Sequence, residues 1–235
     1  MIIKNGGVMN NLINEENVIR FEERFKNEGD HLYPNENIVR LVKNFFTKNE
    51  GRILDYGFGS GENLIHFLKC GYTCSGIDVA QSAKTLVKNK LTNYPHFEGK
   101  VDLHVLDNNT IALPFKDNYF DYIVSNQVLY FLADDQKIRH VLQEFIRILK
   151  PNGRLIISMM SRLNHFCIKG IEDPPHIYKY EEKDTDFIRF VYILHDEEHV
   201  RDLFSCLKIH EIGWFDNYYF GVSGHHYVIL ASKPS

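Results

Sequence analysis

A doubly wound α/β fold is predicted by three features of the sequence. Strand-like apolar runs alternate with helix-like amphipathic runs from Ile53 to Ala231. The first of those strands passes directly into a glycine-rich turn, Asp55-Tyr56-Gly57-Phe58-Gly59-Ser60-Gly61-Glu62. Further on, Ile138, Val141, Leu142, Phe145, Ile146 and Leu149 follow the three-and-four spacing of one buried helical face between Asp134 and Leu149, and Pro151-Asn152-Gly153 stops that helix.

Taken in order, Val18 to Lys26 reads as a helix with Phe21 and Phe25 on one side. Tyr33-Pro34-Asn35 opens a second helix that turns Ile38, Leu41, Val42, Phe45 and Phe46 inward. Strands follow at Ile53, at Thr73 to Ile77 ending on Asp78, and at Val101 to Leu106 ending on Asp107-Asn108. The fourth strand is Phe120 to Ser125, and the fifth runs from Leu155 to Ser158. Met159 to Tyr192 is inserted after it, and helix Asp196 to Cys206 with strands Ile209 to Phe215 and His226 to Ala231 completes the sheet. There is no internal repeat and no low-complexity tract. The expected organisation is a single domain, 1–235. It divides into an N-terminal helical cap (1–50), a cofactor-binding half (51–158), a substrate lid (159–195) and a C-terminal helix with strands (196–235).

The glycine turn carries the first chemical information. Glycine has no Cβ and adopts positive φ freely, so Gly57, Gly59 and Gly61 let backbone amides approach a ligand lying across the following helix. Asp55 at the strand's carboxyl end opposes a pyrophosphate but attracts an ammonium, which favours S-adenosylmethionine over a dinucleotide. Spacing agrees, because the third glycine of the dinucleotide pattern would fall where Glu62 stands. Asp78, roughly 20 residues beyond the turn, is placed to accept ribose hydroxyls. Asp107 and Asn108 bring a carboxylate and an amide to where an adenine amino group can be read. Each feature alone makes a turn or a helix cap as readily as a ligand contact; three successive strand ends with suitable polar residues carry the argument.

With those motifs in order, the chain resembles the Rossmann-like (class I) S-adenosylmethionine-dependent methyltransferases from roughly Ile38 to Pro234. The resemblance puts Asp55, Gly57, Gly59 and Gly61 on the family's glycine motif, Asp78 on its ribose acid and Asp107 on its adenine-side acid. Val79, Asn108 and Asn126 fall beside them at the cofactor. It implies a seven-stranded, mostly parallel sheet with an antiparallel last strand. It also implies a leader folding over the cofactor, with Tyr33 near the methionine end, and Tyr130 near the transferred methyl.

Composition limits the remaining possibilities. The 235 residues are 44% hydrophobic, enough for one substantial core. A formal net charge of −4 gives no electrostatic case for nucleic acid or an anionic membrane. Cys70, Cys74, Cys167 and Cys206 form no zinc-ribbon or redox pair, there is no apolar run of membrane-spanning length, and Met1 to Gly7 lacks a secretory core. A cytoplasmic protein is expected; the sequence does not address oligomeric state.

Substrate choice is assigned to the two segments outside the minimal sheet, the N-terminal cap and the lid Met159 to Tyr192. Its aromatic residues, His165, Phe166, His176, Tyr178, Tyr180, Phe187 and Tyr192, together with the run Trp214 to Phe220, suggest a partly apolar pocket for a small molecule or a sugar. Asp173-Pro174-Pro175-His176 imitates the signature of amino-methylating nucleic-acid enzymes but lies far from the fourth strand, so it is read as a stiffener of the lid. For a hydroxyl acceptor, His165 and His225, beside His226, are the candidate bases, with Tyr130 orienting the acceptor. No metal is expected, because the fourth strand ends in Ser125-Asn126 and no Asp-His cluster has ligand spacing. The reading is methylation of a small molecule, most plausibly at oxygen. N-methylation, a nucleic-acid or protein acceptor, and a non-catalytic cofactor-binding scaffold are the alternatives.

Overall fold

The order of strands in the main sheet is what creates a ligand crevice. In the computed structural model the strands β1 (Arg52–Tyr56), β2 (Thr73–Asp78), β3 (Val101–Val105), β4 (Phe120–Asn126), β5 (Leu149–Met160), β9 (Lys208–Phe215) and β10 (His226–Ser232) stand in the order β3-β2-β1-β4-β5-β10-β9. All neighbours are parallel except β10, which runs antiparallel to both β5 and β9. Winding reverses between β1 and β4, and a crevice opens beyond the carboxyl ends of strands at such a reversal. The structure describes residues 6–27, 29–48, 50–107, 110, 112–181 and 187–234, with side chains from Glu15 onward.

Adjacent residues of the parallel strands enter opposite layers, as burial on both faces requires. Ile53 and Ile156 join a cluster with Leu64, Phe67, Ala83 and Val87 from α3 (Glu62–Lys69) and α4 (Gln81–Leu91), and with Ile38 and Val42 from α2 (Glu36–Phe45). Leu54, Leu155 and Ile157 join the other cluster, with Ile138, Leu142 and Phe145 from α5 (Asp135–Ile148) and Val200 and Leu203 from α7 (Glu197–Leu203). Local chemistry sets where these helices begin. Asn35, Asp134 and Asp196 each accept a hydrogen bond from the backbone N–H three residues on, at 3.2, 3.0 and 2.8 Å.

The predicted elements differ in detail. The helix expected from Val18 is longer, α1 (Gly6–Asn27). The turn expected at Pro151-Asn152-Gly153 lies within β5. Leu149 pairs with Phe120 and Arg154 with Tyr122, so residues 150–153 bulge opposite Asp121, and Lys150 Nζ meets the Asp121 carboxylate at 2.7 Å. At the other end, Met159 and Met160, expected to open the lid, continue β5 and pair with Tyr227 and His226.

After β5, α6 (His165–Lys169) leads into a separate three-stranded antiparallel sheet of β6 (Ile171–Glu172), β7 (Ile177–Glu181) and β8 (Ile188–Tyr192). Helix α1 lies against it. The buried Asn17 side chain donates to the carbonyls of Phe131 (2.8 Å) and Phe190 (3.0 Å), joining α1, the short 3-10 turn Leu129–Leu132 and β8 at one point. Asn17→Ala should leave both carbonyls short of a donor and cost about 1–3 kcal/mol. The denaturant midpoint should fall and proteolysis should begin in α1; an unchanged midpoint with α1 still protected would show that this contact does not hold the cap.

Candidate functional site

A cavity of about 600 Å³ lies beyond the ends of β1, β2 and β4, within the range of small-molecule sites. Gly57, Phe58, Gly59, Ser60 and Glu62 form its floor, Asp78, Val79, Leu106 and Asp107 one wall, and Asn126, Gln127, Val128 and Tyr130 another. Helix α1 and the loop after it cover it with Asn17, Phe21, Arg24, Phe25, His31 and Tyr33, while Asn164, His165, Phe166 and Arg189 reach in from the inserted segment.

Asp78 organises the floor. One carboxylate oxygen accepts from the Gly59 N–H (2.8 Å), and the other accepts from the N–H groups of Val79 (2.8 Å) and Ala80 (3.0 Å). Burial raises its pKa against the opposing pull of those three donors. A carboxylate has room for about four donors, so one position remains for a ligand hydroxyl on the cavity side. The three glycines do different work. All have positive φ, but a Cβ on Gly57 would stand 2.2 Å from Val128 and one on Gly61 2.5 Å from Val87, so packing alone demands glycine at both. At Gly59 the only nearby side chain is Phe25 of the cap, at 3.2 Å.

Asp55 is buried behind the loop and does not reach the cavity wall. Its Oδ2 has no hydrogen-bond partner, and burial, followed by the negative charges of Asp78 and Glu62, pushes its pKa up to about 7. Burial of this kind favours the protonated carboxyl, so Asp55 acts on the loop from behind and not as a counter-charge on the cavity wall. Glu62 is held by Lys90, which also meets Asp30 and donates to the Ser60 carbonyl at 2.7 Å, so this cluster ties the segment after α1 to the loop.

The predicted residues separate as follows. Tyr33, Gly57, Gly59, Asp78, Val79, Asp107, Asn126, Tyr130 and His165 line the cavity, whereas Asp55, Gly61 and His225 do not; Asn108 lies outside the described residues. His225 faces the other side of the chain at the start of β10, where it stacks on Trp214 (5.2 Å) and meets Ser161 Oγ at 2.7 Å. The next residue, His226, takes the cavity side by strand alternation. Its Nδ1 donates to the Gly224 carbonyl at 2.6 Å, leaving Nε2 buried without a partner, and burial lowers its pKa to about 4. The aromatic run after Trp214 is also placed differently from expectation. Trp214, Tyr218, Tyr219 and Phe220 are exposed, and only Asn217 of that run reaches the cavity.

Sequence reasoning missed Asn17, Arg24, His31, Lys137 and Arg189. Lys137 carries a buried ammonium with no hydrogen-bond partner. Tyr130 is buried, and burial raises its phenol pKa while the positive charges of Arg189 and Arg24 act in the opposite direction.

Known proteins agree with this geometry. Residues 54–157 match the family described as "Methyltransferase domain". That stretch is therefore similar to a methyltransferase domain, and the fold around it is the one such domains share. The chain is 33% identical over 135 residues to the ubiquinone/menaquinone biosynthesis C-methyltransferase UbiE of Vibrio cholerae, covering 53% of this chain and 49% of the relative. It is 23% identical over 167 residues to the uncharacterized methyltransferase YcgJ of Bacillus subtilis, covering 71% and 57%. The chain thus spans about half the length of the curated relatives it matches. In structure it is similar to the N-methyltransferase NodS of Bradyrhizobium japonicum in complex with S-adenosylhomocysteine, with TM-score 0.67, 15% identity, and 94% and 100% of the two chains covered.

The cavity's features fit S-adenosylmethionine: the carboxylates of Asp78 and Asp107 on one wall and a glycine floor facing the cap. Two outcomes are expected. Asp78→Ala should weaken S-adenosylhomocysteine binding by about 1.5–3 kcal/mol, the range for a charge-assisted bond, and also lower the melting temperature because three backbone donors lose their acceptor. An unchanged dissociation constant by calorimetry would place Asp78 outside the site. For Asp55, the folded pKa is raised above the unfolded value, so ionising it costs stability progressively as pH rises from about 4 toward 7. Asp55→Asn should therefore raise the melting temperature of the ligand-free protein more at pH 8 than at pH 5; an equal shift at both would contradict a buried, protonatable Asp55.

Proposed function

We propose that the chain transfers a methyl group from S-adenosylmethionine to a small-molecule acceptor, at a hydroxyl of a sugar or another metabolite. The observation that carries this reading is the tautomer imposed on His165. Its Nδ1 lies 3.0 Å from the Ser223 carbonyl oxygen, which can only accept, so Nδ1 holds the proton. In the neutral ring the lone pair is then on Nε2, and His165 is a wall residue of the cavity. A histidine held in that form can take an acceptor's proton.

Asp78, Asp107 and Asn126 would hold the cofactor, whose sulfonium supplies an already activated methyl group. The residues of this chain then have three tasks. Phe21, Phe25 and Phe166 exclude water, Tyr130 orients the acceptor oxygen, and His165 removes its proton. Alignment of this kind contributes about 7–11 kcal/mol to a displacement. His226, with its pKa near 4, is a poor base and serves as a hydrogen-bond acceptor from a donor on the substrate. Arg24, Lys137 and Arg189 on the wall favour an acceptor with an acidic hydroxyl or a carboxylate. Among the described residues no helix is long and apolar enough to cross a membrane, and the four cysteines are free, which suits the reducing cytoplasm.

With a panel of hydroxyl and amine acceptors, S-adenosylhomocysteine should form only with acceptors that fit the cavity. His165→Ala should lower turnover by about 10²–10⁴-fold while cofactor affinity stays within twofold. Parent-like turnover in His165→Ala would mean the acceptor needs no base, as for a neutral amine. Absence of turnover with every acceptor, in a protein that binds the cofactor, would favour the scaffold.

A further inference from the structure

Away from the cavity, the base of the inserted sheet collects Glu172, His176 and His195, and the ligand atoms these three can offer all lie within 4.8 Å of one another. Backbone pairing brings them together across 23 positions of sequence, from Glu172 to His195. Ile177 pairs with Tyr192 at the open end of the β7–β8 hairpin, and the Ile193 N–H donates to the His176 carbonyl at 2.8 Å, so His195 emerges beside His176. On the other side Glu172 pairs with Tyr178. The turn Asp173-Pro174-Pro175 then folds back until the His176 N–H donates to Glu172 Oε1 at 2.7 Å.

Two features distinguish this cluster from a chance meeting of polar side chains. His176 Nδ1 and His195 Nε2 are both buried, and neither has a hydrogen-bond partner among the described residues. Buried polar nitrogens are nearly always satisfied, so two such atoms converging on one carboxylate need an explanation. The surroundings are also ordered in the way metal ligands are. Glu172 Oε2 accepts from the Tyr178 hydroxyl at 2.9 Å, fixing the carboxylate, while the backbone N–H of His195 donates to His199 Nδ1 at 3.4 Å and His199 Nε2 meets the Tyr192 hydroxyl at 3.0 Å. His199 is thereby committed to protein partners and packs against His176 at 4.4 Å without joining the ligand set.

We propose that Glu172, His176 and His195 form a binding site for a divalent transition-metal ion, best suited to Zn²⁺, that pins the base of the inserted sheet. Two imidazoles and one carboxylate are a favoured donor set for zinc, with water completing a tetrahedron. Ligands about 2.0–2.1 Å from a shared ion stand roughly 3.3 Å apart, so side-chain rotations must close the group by up to about 1.5 Å. His195 Nε2 is already 3.9 Å from Glu172 Oε1. The ion would bind the turn before β7 to the segment after β8 without touching the methyl-transfer cavity, since none of the three residues lines it. Its role is therefore to hold the lid, independent of whether the proposed acceptor is right.

The test uses untagged full-length protein stripped with a chelator and titrated with ZnCl₂ by calorimetry, with MgCl₂ as the hard-cation control. One equivalent of Zn²⁺ should bind, Mg²⁺ should not, and His176→Ala and His195→Ala should each weaken binding at least tenfold while S-adenosylhomocysteine affinity is retained. Zn²⁺ should raise the melting temperature of the parent and not of these variants. Should either variant fail to fold, the parent alone decides by mass spectrometry: Zn²⁺ should protect His176 and His195 from diethyl pyrocarbonate, relative to His96 and His140. Absence of Zn²⁺ binding, binding unaffected by both substitutions, or equal modification with and without Zn²⁺ would overturn the site.

Discussion

The carboxylate of Asp78 is the interaction on which the rest of the cavity depends. By accepting from Gly59 on one side and from Val79 and Ala80 on the other, it joins the loop after β1 to the start of α4. Those two segments come from neighbouring parallel strands, whose pairing continues into the loop only as far as the Gly57 and Phe58 N–H groups on the Ile77 carbonyl, at 2.7 and 3.2 Å. The cost of burying the charge is offset by three backbone donors. What remains of the carboxylate's capacity faces the cavity. Asp78 thus has a structural role in the loop and, as a residue of the cavity wall, is placed to meet a ligand as well.

Around that point the chain arranges charge by position. Negative groups, Asp55, Glu62, Asp78 and Asp107, gather at the ends of β1 to β3 and in the loop between. Positive groups, Arg24, Lys137 and Arg189, come from α1, α5 and β8 and line the other walls. A cationic cofactor end and an acidic acceptor would be drawn to different parts of one cavity, the arrangement an in-line transfer needs. The inserted sheet contributes Arg189 to this wall at one end of its hairpin and carries the Glu172, His176 and His195 cluster at the other.

The fold was legible because its signals are local. Alternating burial, capping residues at Asn35, Asp134 and Asp196, and the spaced glycines each act within a few residues. The site was legible only where a strand end dictates it, as at Asp78 and Asp107. His225 was chosen over His226 because sequence alone does not reveal which of two adjacent residues at a strand's start faces inward; β10's register against β5 decides that. Asn17, Arg24 and Arg189 left no signal, since their approach to the cavity depends on how α1 and β8 dock. Glu172, His176 and His195 were invisible for the same reason: their spacing matches no ligand motif, and a hairpin's closing pair brings them together.

The most direct test of the account is a calorimetric titration of S-adenosylhomocysteine into the parent and into Gly59→Val, with NADH titrated in parallel. The close approach of backbone to ligand at Gly59 predicts one binding site in the parent, none in the variant, and no binding of NADH to either, with both proteins folded by circular dichroism. Equal affinity of parent and variant for S-adenosylhomocysteine, or tighter binding of NADH than of S-adenosylhomocysteine, would contradict it.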